Sequence, residues 1–187
     1  MQGELQIIRG LQTIFQGPVG HAIIVFCARW LIFVFVVLVA ATGIPKQNKV
    51  LRHAAYEAAW AALLALSIAT ILSRIIGRLR PFLTGEVALL IPPPVSVFAF
   101  PSGHASAAFA VAGALAYGNP SLGIIGFIVA LFIAFGRVAS GVHYPSDVLG
   151  GLIVGLISFG MVRYIHRAIR AKDLERSWWK KITHRET

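Results

Sequence analysis

Long apolar segments dominate this chain and restrict its fold more than any other feature. Five of them approach the length that crosses a bilayer, at residues 20–42, 54–77, 103–118, 121–139 and 147–165. A transmembrane helix needs roughly 20 apolar residues, and in lipid the backbone is satisfied only within helices or closed barrels. Because 57% of the residues are hydrophobic and 13% are charged, an ordinary soluble domain is excluded. The sequence therefore predicts an all-α, polytopic membrane helical bundle of about five transmembrane helices.

The chain is expected to form a single domain over residues 1–187, because it contains no internal repeat and no linker. Near its start, one helical stripe within residues 3–16 consists of Leu5, Ile8, Leu11 and Phe15. This stripe favours a short interfacial helix over the alternative of a frayed polar leader. The expected parts are an interfacial helix, a transmembrane bundle and a basic cytoplasmic tail, at residues 1–18, 19–166 and 167–187.

Basic residues are concentrated on one side of the predicted bundle. Residues 43–53 carry three of them and residues 163–187 carry eight. On the other side, once the site candidates below are set aside, Arg9 alone lies near a helix end. Lys and Arg are enriched in cytoplasmic loops, so we expect the C-terminus in the cytoplasm and the N-terminus outside. The expected location is the cytoplasmic (inner) membrane, which the chain crosses several times.

Charge and cysteine content exclude several other classes. The net charge of +10 comes from residues between apolar segments and in the tail, so no nucleic-acid partner is expected. The single cysteine, Cys27, cannot form an intrachain disulfide or a zinc-type ligand set. The lipid bilayer is therefore the one partner that composition predicts.

Three groups of ionisable residues interrupt the apolar pattern near helix ends. They are Arg137, His143 and Asp147; residues 101–104, which include Ser102, Gly103 and His104; and the arginines Arg74, Arg78 and Arg80. Charged side chains at membrane depth are costly and are functional candidates by default. With five crossings, all three groups fall on the side opposite the basic tail. The sequence thus predicts that they meet at one membrane boundary, facing outside.

Several of these residues suit an anionic ligand. Ser102 is predicted to be the N-cap of a helix, and capping alone is the plainer interpretation of it. A helix N-terminus that begins at Gly103 would also let a phosphate approach free backbone N–H groups. Arg80 and Arg137 could bind phosphate oxygens bidentately, although Arg80 taken singly also fits a snorkelling arginine. Arg29, in the middle of the first segment, is left open between snorkelling and reaching a substrate headgroup.

His143 and Asp147 are four residues apart and share one face where a helix begins. In a structural interpretation, Asp147 caps the helix and His143 packs beneath it. In a catalytic interpretation, Asp147 fixes the tautomer of His143, whose other ring nitrogen attacks phosphorus. His104 is then available to protonate the leaving oxygen.

The order and spacing of these groups resemble the three signatures of the type 2 phosphatidic acid phosphatase (PAP2) superfamily. The matching residues are Arg80-Pro81, residues 101–104, and Arg137 followed six and ten residues later by His143 and Asp147. The resemblance implies a phospho-histidine intermediate on His143, oriented by Asp147, with His104 as general acid. It also implies a phosphate site formed by Arg80, Arg137, Ser102 and Gly103, in which no metal or other cofactor takes part.

Two positions depart from the family signatures. The first signature usually begins with lysine seven residues before Arg80, where this chain has Ser73. Arg74 and Arg78 are weaker phosphate-binding candidates that could supply the missing charge. The third signature usually has serine before its arginine, where this chain has Gly136.

The resemblance also suggests a substrate class. Some relatives that act on undecaprenyl pyrophosphate are short, have about five spans, lack the lysine and keep Arg-Pro-Phe, and this chain with its Arg80-Pro81-Phe82 is similar on those points. The expected reaction is hydrolysis of a membrane lipid diphosphate to the monophosphate, which recycles a cell-wall lipid carrier. Phosphatidylglycerophosphate, phosphatidate and lipid A phosphatases remain alternatives. A non-enzymatic anion-binding or transport protein is a further alternative, which clusters on one face only do not favour.

Overall fold

The computed structural model describes residues 2–42 and 48–183, and side chains as far as Lys172. Its elements are α1 (Gln2–Ile14), α2 (Pro18–Val25), a π-helical segment (Phe26–Trp30), α3 (Leu31–Thr42), α4 (Lys49–Ile76), a 3-10 turn (Pro81–Thr84), α5 (Gly103–Gly118), α6 (Pro120–Ala139) and α7 (Pro145–Thr183). The predicted all-α class is confirmed, and the described residues contain no β-strand. The predicted bias of basic residues to one side also depends on Lys46 and on residues beyond Lys172, which lie outside the described side chains.

Four helical stretches are long and apolar enough to cross a membrane among the described residues. They are Pro18–Thr42, Lys49–Ile76, Pro120–Ala139 and Pro145–Lys172. The remaining predicted crossing, at residues 103–118, is α5. Its 16 residues extend only about 24 Å at about 1.5 Å per residue. The protein is thus a multi-pass membrane protein with four long spans and one shorter helix at its centre.

Helix α5 occupies the core because its side chains are small. It packs against α4, α6 and α7, and alanines form most of its buried surface. A Cβ atom at Gly155 of α7 would lie 2.5 Å from the Ser106 carbonyl oxygen, and one at Gly151 would lie 2.8 Å from Ala105 Cβ. These distances leave no room for a side chain, so Gly151 and Gly155 form a close-contact face between α7 and α5.

The α4–α5 connection folds back on itself. Helix α4 ends at Gly77, whose left-handed conformation (φ 65°) is easily adopted by glycine. Beyond it, the Ala99 N–H donates to the Arg78 carbonyl at 2.7 Å, and the Arg80 N–H donates to the Val97 carbonyl at 3.2 Å. This antiparallel contact holds Arg80 against the segment that leads into α5.

Helix α1 packs across the same end of the bundle. Leu5 and Ile8 are buried in a cluster with Val138 and Tyr144. The Gln12 side chain donates to the Ala88 carbonyl at 2.8 Å and accepts from the Ala88 N–H at 3.2 Å. The predicted N-terminal helix is therefore formed, and it contacts the α4–α5 connection as well as the bundle.

Candidate active site

The three ionisable groups converge on one cavity of about 480 Å³ at this end of the bundle. Its polar and charged lining includes Ser73, Arg74, Arg80, His104, Arg137 and His143, together with Gly103. The cavity is not lined by Arg78, Ser102 or Asp147. Ser102 and Arg78 both donate hydrogen bonds to Asp147, which lies behind His143 on the side of its Nδ1 atom. The separate helix ends named from the sequence are thus brought together by the fold.

His143 presents its Nε2 atom to an arginine. The distance from Nε2 to Arg80 Nη1 is 3.1 Å, and guanidinium groups only donate hydrogen bonds. Nε2 must therefore accept, which assigns the ring proton of the neutral imidazole to Nδ1. Nδ1 lies 3.5 Å from Asp147 Oδ2, longer than a good hydrogen bond. This arrangement leaves the lone pair of Nε2 beside the cationic side of the cavity.

The protonation states around Nε2 follow from burial. Burial lowers the pKa of His143 well below its usual value, and the charges of Arg137 and Arg80 lower it further. Burial also lowers the pKa of Arg80 to about 10, although Asp147 opposes this shift. At neutral pH the imidazole is therefore uncharged and Arg80 stays cationic, which are the states that a nucleophile and an anion-binding group need.

The two buried arginines of the cavity are held by backbone carbonyls. Arg80 donates from Nε to the Ser96 carbonyl at 2.7 Å and from Nη1 to the Val142 carbonyl at 2.9 Å. Arg137 donates from Nη1 to the Ala28 carbonyl at 3.0 Å, and its buried Nε has no partner. Neither forms an ion pair with a carboxylate among the described side chains. Their positive charges therefore remain available to an anion.

Gly136 allows Arg137 to reach Ala28. A Cβ atom at position 136 would lie 2.5 Å from the Ala28 nitrogen and 2.6 Å from the Cys27 carbonyl carbon. Both contacts belong to the π-helical segment, whose wider turn is marked by the Leu31 N–H donating to the Phe26 carbonyl. The departure from serine at this position thus has a steric cause that the sequence did not reveal.

Asp147 is completely buried (0% exposed) and is fixed by main-chain and side-chain donors. Its Oδ2 accepts from the Tyr144 N–H at 2.7 Å, and its Oδ1 accepts from Arg78 Nη1 at 2.7 Å. The Arg78 guanidinium lies 3.9 Å above the centre of the Tyr144 ring. Arg78 is therefore engaged with Asp147 rather than with the cavity.

Glu4 of α1 completes this network, and sequence reasoning missed it. Its carboxylate accepts from Arg78 Nη2 at 2.8 Å, from the Ser146 hydroxyl at 2.6 Å and from the Ser146 N–H at 3.0 Å. Burial raises the pKa of Glu4, but the hydrogen bonds from Ser146 and Arg78 outweigh this and lower it overall. No spacing rule relates residue 4 to residue 146; the only signal was an acidic residue in an amphipathic first turn.

Ser102 occupies the N-cap position of α5, but its side chain makes no capping hydrogen bond. Its N–H donates to the Asp147 carbonyl at 3.0 Å, which ties α5 to the start of α7. Its buried hydroxyl has no partner. Gly103 and His104 follow on the cavity side, so the first N–H groups of α5 and the positive end of its dipole lie at the lining.

The remaining arginine candidates, Arg74 and Arg29, differ in whether they line the cavity. Arg74 is exposed and lines the cavity, whereas the hydroxyl of neighbouring Ser73 donates to the Thr70 carbonyl at 2.9 Å. Arg29 is exposed with its guanidinium 5.2 Å from the Trp30 ring centre, and it does not line the cavity. Within the described residues, no three His, Cys, Asp or Glu side chains are grouped so that they could hold a metal ion.

Comparison with known proteins agrees with this geometry. Residues 54–171 match the PAP2 superfamily. The undecaprenyl-diphosphatase BcrC of Bacillus subtilis is 30% identical over 136 residues, which cover 73% of this chain and 69% of that protein. Phosphatidylglycerophosphatase B of Bacillus subtilis is 31% identical over 133 residues, which cover 62% of this chain and 63% of that protein.

A solved structure shares the fold. The crystal structure of a transmembrane PAP2-type phosphatidylglycerolphosphate phosphatase from Bacillus subtilis superposes with a TM-score of 0.67 at 23% identity, covering 90% of this chain and 86% of that one. The family match begins within α4 and ends within α7, and it includes every residue that lines the cavity. The chain therefore belongs to the PAP2 superfamily, and it is a membrane lipid phosphatase.

Proposed function

We propose that this phosphatase hydrolyses a lipid diphosphate through a phospho-histidine intermediate on His143, with undecaprenyl pyrophosphate as the favoured substrate. One observation carries the proposal. The accepting Nε2 of His143 lies 3.1 Å from Arg80, in a cavity whose two buried arginines are not neutralised by a described carboxylate. A phosphoryl group bound by these arginines would sit beside a neutral nucleophile.

In the first step, Nε2 of His143 attacks the terminal phosphorus. The N–P bond forms as the P–O bond to the leaving group breaks, and the lipid monophosphate departs. Arg80, Arg137 and the N–H of Gly103 stabilise charge on the equatorial oxygens. The phosphorylated ring is cationic, and Asp147 beside Nδ1 stabilises that charge.

In the second step, water attacks the phosphorus of phospho-His143. The N–P bond breaks, inorganic phosphate leaves and the neutral imidazole is restored. His104 lines the same cavity and acts first as an acid toward the leaving oxygen and then as a base toward water. An alkoxide leaving group is a stronger base than a phosphate leaving group, so it needs this proton more. The contribution of His104 to the rate therefore depends on the substrate.

Arg74 supports a diphosphate over a monoester. It lines the cavity at an exposed position of the last turn of α4. We assign the second phosphate of the substrate to Arg74, which here takes the place of the family lysine absent at Ser73. The relative BcrC, named an undecaprenyl-diphosphatase, agrees with this assignment.

A monoester phosphatase is the second candidate. It is favoured by the relative named phosphatidylglycerophosphatase B and by the structural neighbour of similar title. Anion transport is less well supported, since the ionisable groups of the cavity lie at one end of the bundle. We place the cavity on the outer face of the cytoplasmic membrane, because the basic residues of α7 lie at the opposite end.

The deciding experiment measures phosphate release by the purified protein in detergent with EDTA. Undecaprenyl pyrophosphate, phosphatidylglycerophosphate and phosphatidate are compared as substrates. We expect the diphosphate to have the highest kcat/KM, and we expect Arg74→Gln to lower that value about tenfold with little effect on the monoesters. Arg29→Gln removes an exposed arginine outside the cavity and serves as the matched control.

Two results would overturn parts of the proposal. Phosphate release that requires an added divalent metal ion, or no release from any substrate, removes the mechanism. Equal losses for all substrates in Arg74→Gln remove the diphosphate assignment. His104→Ala sharpens the distinction, because we expect it to slow monoester turnover more than diphosphate turnover.

A further inference from the structure

An apolar groove lies between α4 and α7, away from the catalytic cavity. Its volume is about 680 Å³. Its apolar walls are Trp60, Leu63, Leu64, Val162, Ile165 and Ile169. Helix α7 leaves the catalytic end at Asp147, so Arg163 stands about 24 Å further along it at 1.5 Å per residue. The groove therefore opens in the half of the membrane opposite the cavity.

An ion-pair network around a buried carboxylate borders this groove. Glu57, only 3% exposed, accepts from Arg163 Nη1 at 2.8 Å and from His166 Nδ1 at 2.6 Å. The Arg163 guanidinium lies 3.7 Å from the centre of the Tyr117 ring, and the buried Arg163 Nε has no partner. These contacts hold the side chains of Arg163 and His166 at the border between the groove and the membrane boundary.

A basic cleft adjoins this network. Its volume is about 270 Å³ and its lining is Arg163, His166, Arg167, Arg170 and Ala171. His166 lines both the cleft and the groove, so the two spaces meet. Basic residues replace the apolar stretch of α7 from Arg163 onward, which places the cleft at headgroup depth. Arg163 is bound by Glu57, but no described carboxylate lines the cleft beside Arg167 and Arg170, so the cleft suits an anion.

We propose that the groove and the cleft together bind one anionic phospholipid of the surrounding leaflet, with its phosphate in the cleft and an acyl chain in the groove. A soluble anion would leave the apolar groove unused, and a zwitterionic lipid would leave the charge of the cleft only partly compensated. Basic pockets between transmembrane helices are suited to anionic headgroups. The proposal does not depend on the catalytic mechanism, because the site shares no residue with the catalytic cavity.

The test is native mass spectrometry of the full-length protein in detergent with added lipid. Phosphatidylglycerol is compared with phosphatidylethanolamine at equal concentration. We expect the wild type to retain phosphatidylglycerol selectively, and we expect Arg167→Gln/Arg170→Gln to weaken its retention about 30-fold. Lys49→Gln/Arg52→Gln removes the same charge from the start of α4, outside both spaces, and should retain the lipid as the wild type does.

A second variant tests the groove without changing charge. Ile165→Trp fills the groove at an exposed position, so the fold is kept while the acyl chain loses its space. We expect it to reduce phosphatidylglycerol retention several-fold. His143→Ala should retain the lipid normally, which separates this site from catalysis.

Three outcomes would overturn the proposal. One is equal retention of the two lipids by the wild type. Another is unchanged retention by both the double arginine variant and Ile165→Trp. The third is displacement of the lipid by inorganic phosphate at millimolar concentration, which would assign the cleft to a free anion.

Discussion

The two ends of this bundle contain the same kind of ion pair. At the catalytic end, Arg78 lies over the Tyr144 ring and donates to Asp147. At the other end, Arg163 lies over a tyrosine ring of α5 and donates to Glu57. In both pairs the carboxylate is almost fully buried. The two pairs are alike in composition, so composition does not explain why catalysis belongs to one end.

The difference lies in what surrounds each carboxylate. At the far end, the Nδ1 atom of His166 is hydrogen-bonded to Glu57 at 2.6 Å, and its neighbours line the apolar groove. At the catalytic end, His143 keeps Nε2 beside an arginine that only backbone carbonyls hold. A carboxylate neutralises the arginine that it binds, whereas a carbonyl positions an arginine and leaves its charge in place. Carbonyl-held arginines therefore distinguish a phosphate site from a structural ion pair.

Removal of His143 is expected to have the largest effect. His143→Ala should lower kcat/KM about 10³-fold or more, since the proposed covalent intermediate forms on the His143 side chain. His21→Ala removes an exposed histidine of α2 and should leave turnover within about twofold of the wild type. Both are measured as phosphate release, with thermal unfolding as a control for folding. Substantial turnover in His143→Ala would show that the attacking group lies elsewhere.

The two buried carboxylates provide the next test. Asp147→Asn should lower kcat about 10²-fold, because the amide cannot stabilise a cationic ring. Glu57→Gln should instead lower the free energy of unfolding by about 2 kcal/mol, since Arg163 is left without its counter-ion. Turnover and thermal midpoint are measured for both variants. The comparison between the ends fails if Glu57→Gln reduces kcat as much as Asp147→Asn does.

Glu4→Gln tests whether α1 contributes to catalysis. The variant keeps the shape of the side chain but removes the charge that holds Arg78 and, through it, Asp147. We expect kcat to fall about tenfold with little change in KM, because Glu4 acts through other residues and does not contact the cavity. A fall in KM and kcat together, or none in either, would argue against a positioning role. Arg9→Gln, which breaks the other ion pair of α1, is the matched control.

The lowered pKa of Glu4 predicts that the stability of α1 depends on pH. The folded-state pKa of Glu4 lies below its ordinary value of 4.5, so its stabilising contribution is present above about pH 4.5. It is lost as the pH falls through the lowered pKa of the folded state. Hydrogen exchange of α1 in detergent should therefore accelerate below that range in the wild type. In Glu4→Gln the exchange should be faster at neutral pH and should lack this acid-induced step.

The smallest expected effect comes from restoring the family serine. Gly136→Ser should destabilise the protein by about 1–3 kcal/mol and raise KM several-fold, because its Cβ displaces the backbone that positions Arg137. Gly160→Ser of α7 is the matched control, as nothing lies within 4 Å of its Cβ position. Thermal unfolding and KM are measured together. An unchanged KM in Gly136→Ser would show that Arg137 does not depend on the π-helical segment.

Much of the fold could be predicted from the sequence because lipid leaves few alternatives. Apolar length identified four long spans and the shorter core helix α5. A local signal also predicted the N-cap position of Ser102. These features depend on residues near one another in the chain, where spacing determines geometry.

The charged network could be predicted only in part. Arg80, His104, Arg137 and His143 were grouped correctly because helix ends on one membrane face must approach each other. Arg78 was a candidate for the phosphate, yet the structure pairs it with Asp147 and Glu4. That pairing depends on how α1 crosses the bundle end, which no local pattern encodes.

The sequence by itself determined that this chain is a helical membrane protein whose candidate site residues lie at one end of the bundle. Hydrophobic length and the cost of burying charge are sufficient for that conclusion. Only the tertiary structure decided which arginines keep their charge. Arg78 and Arg80 are two residues apart, but one meets carboxylates and the other meets carbonyls. The partners of a guanidinium come from distant segments, so its electrostatic role is fixed by packing.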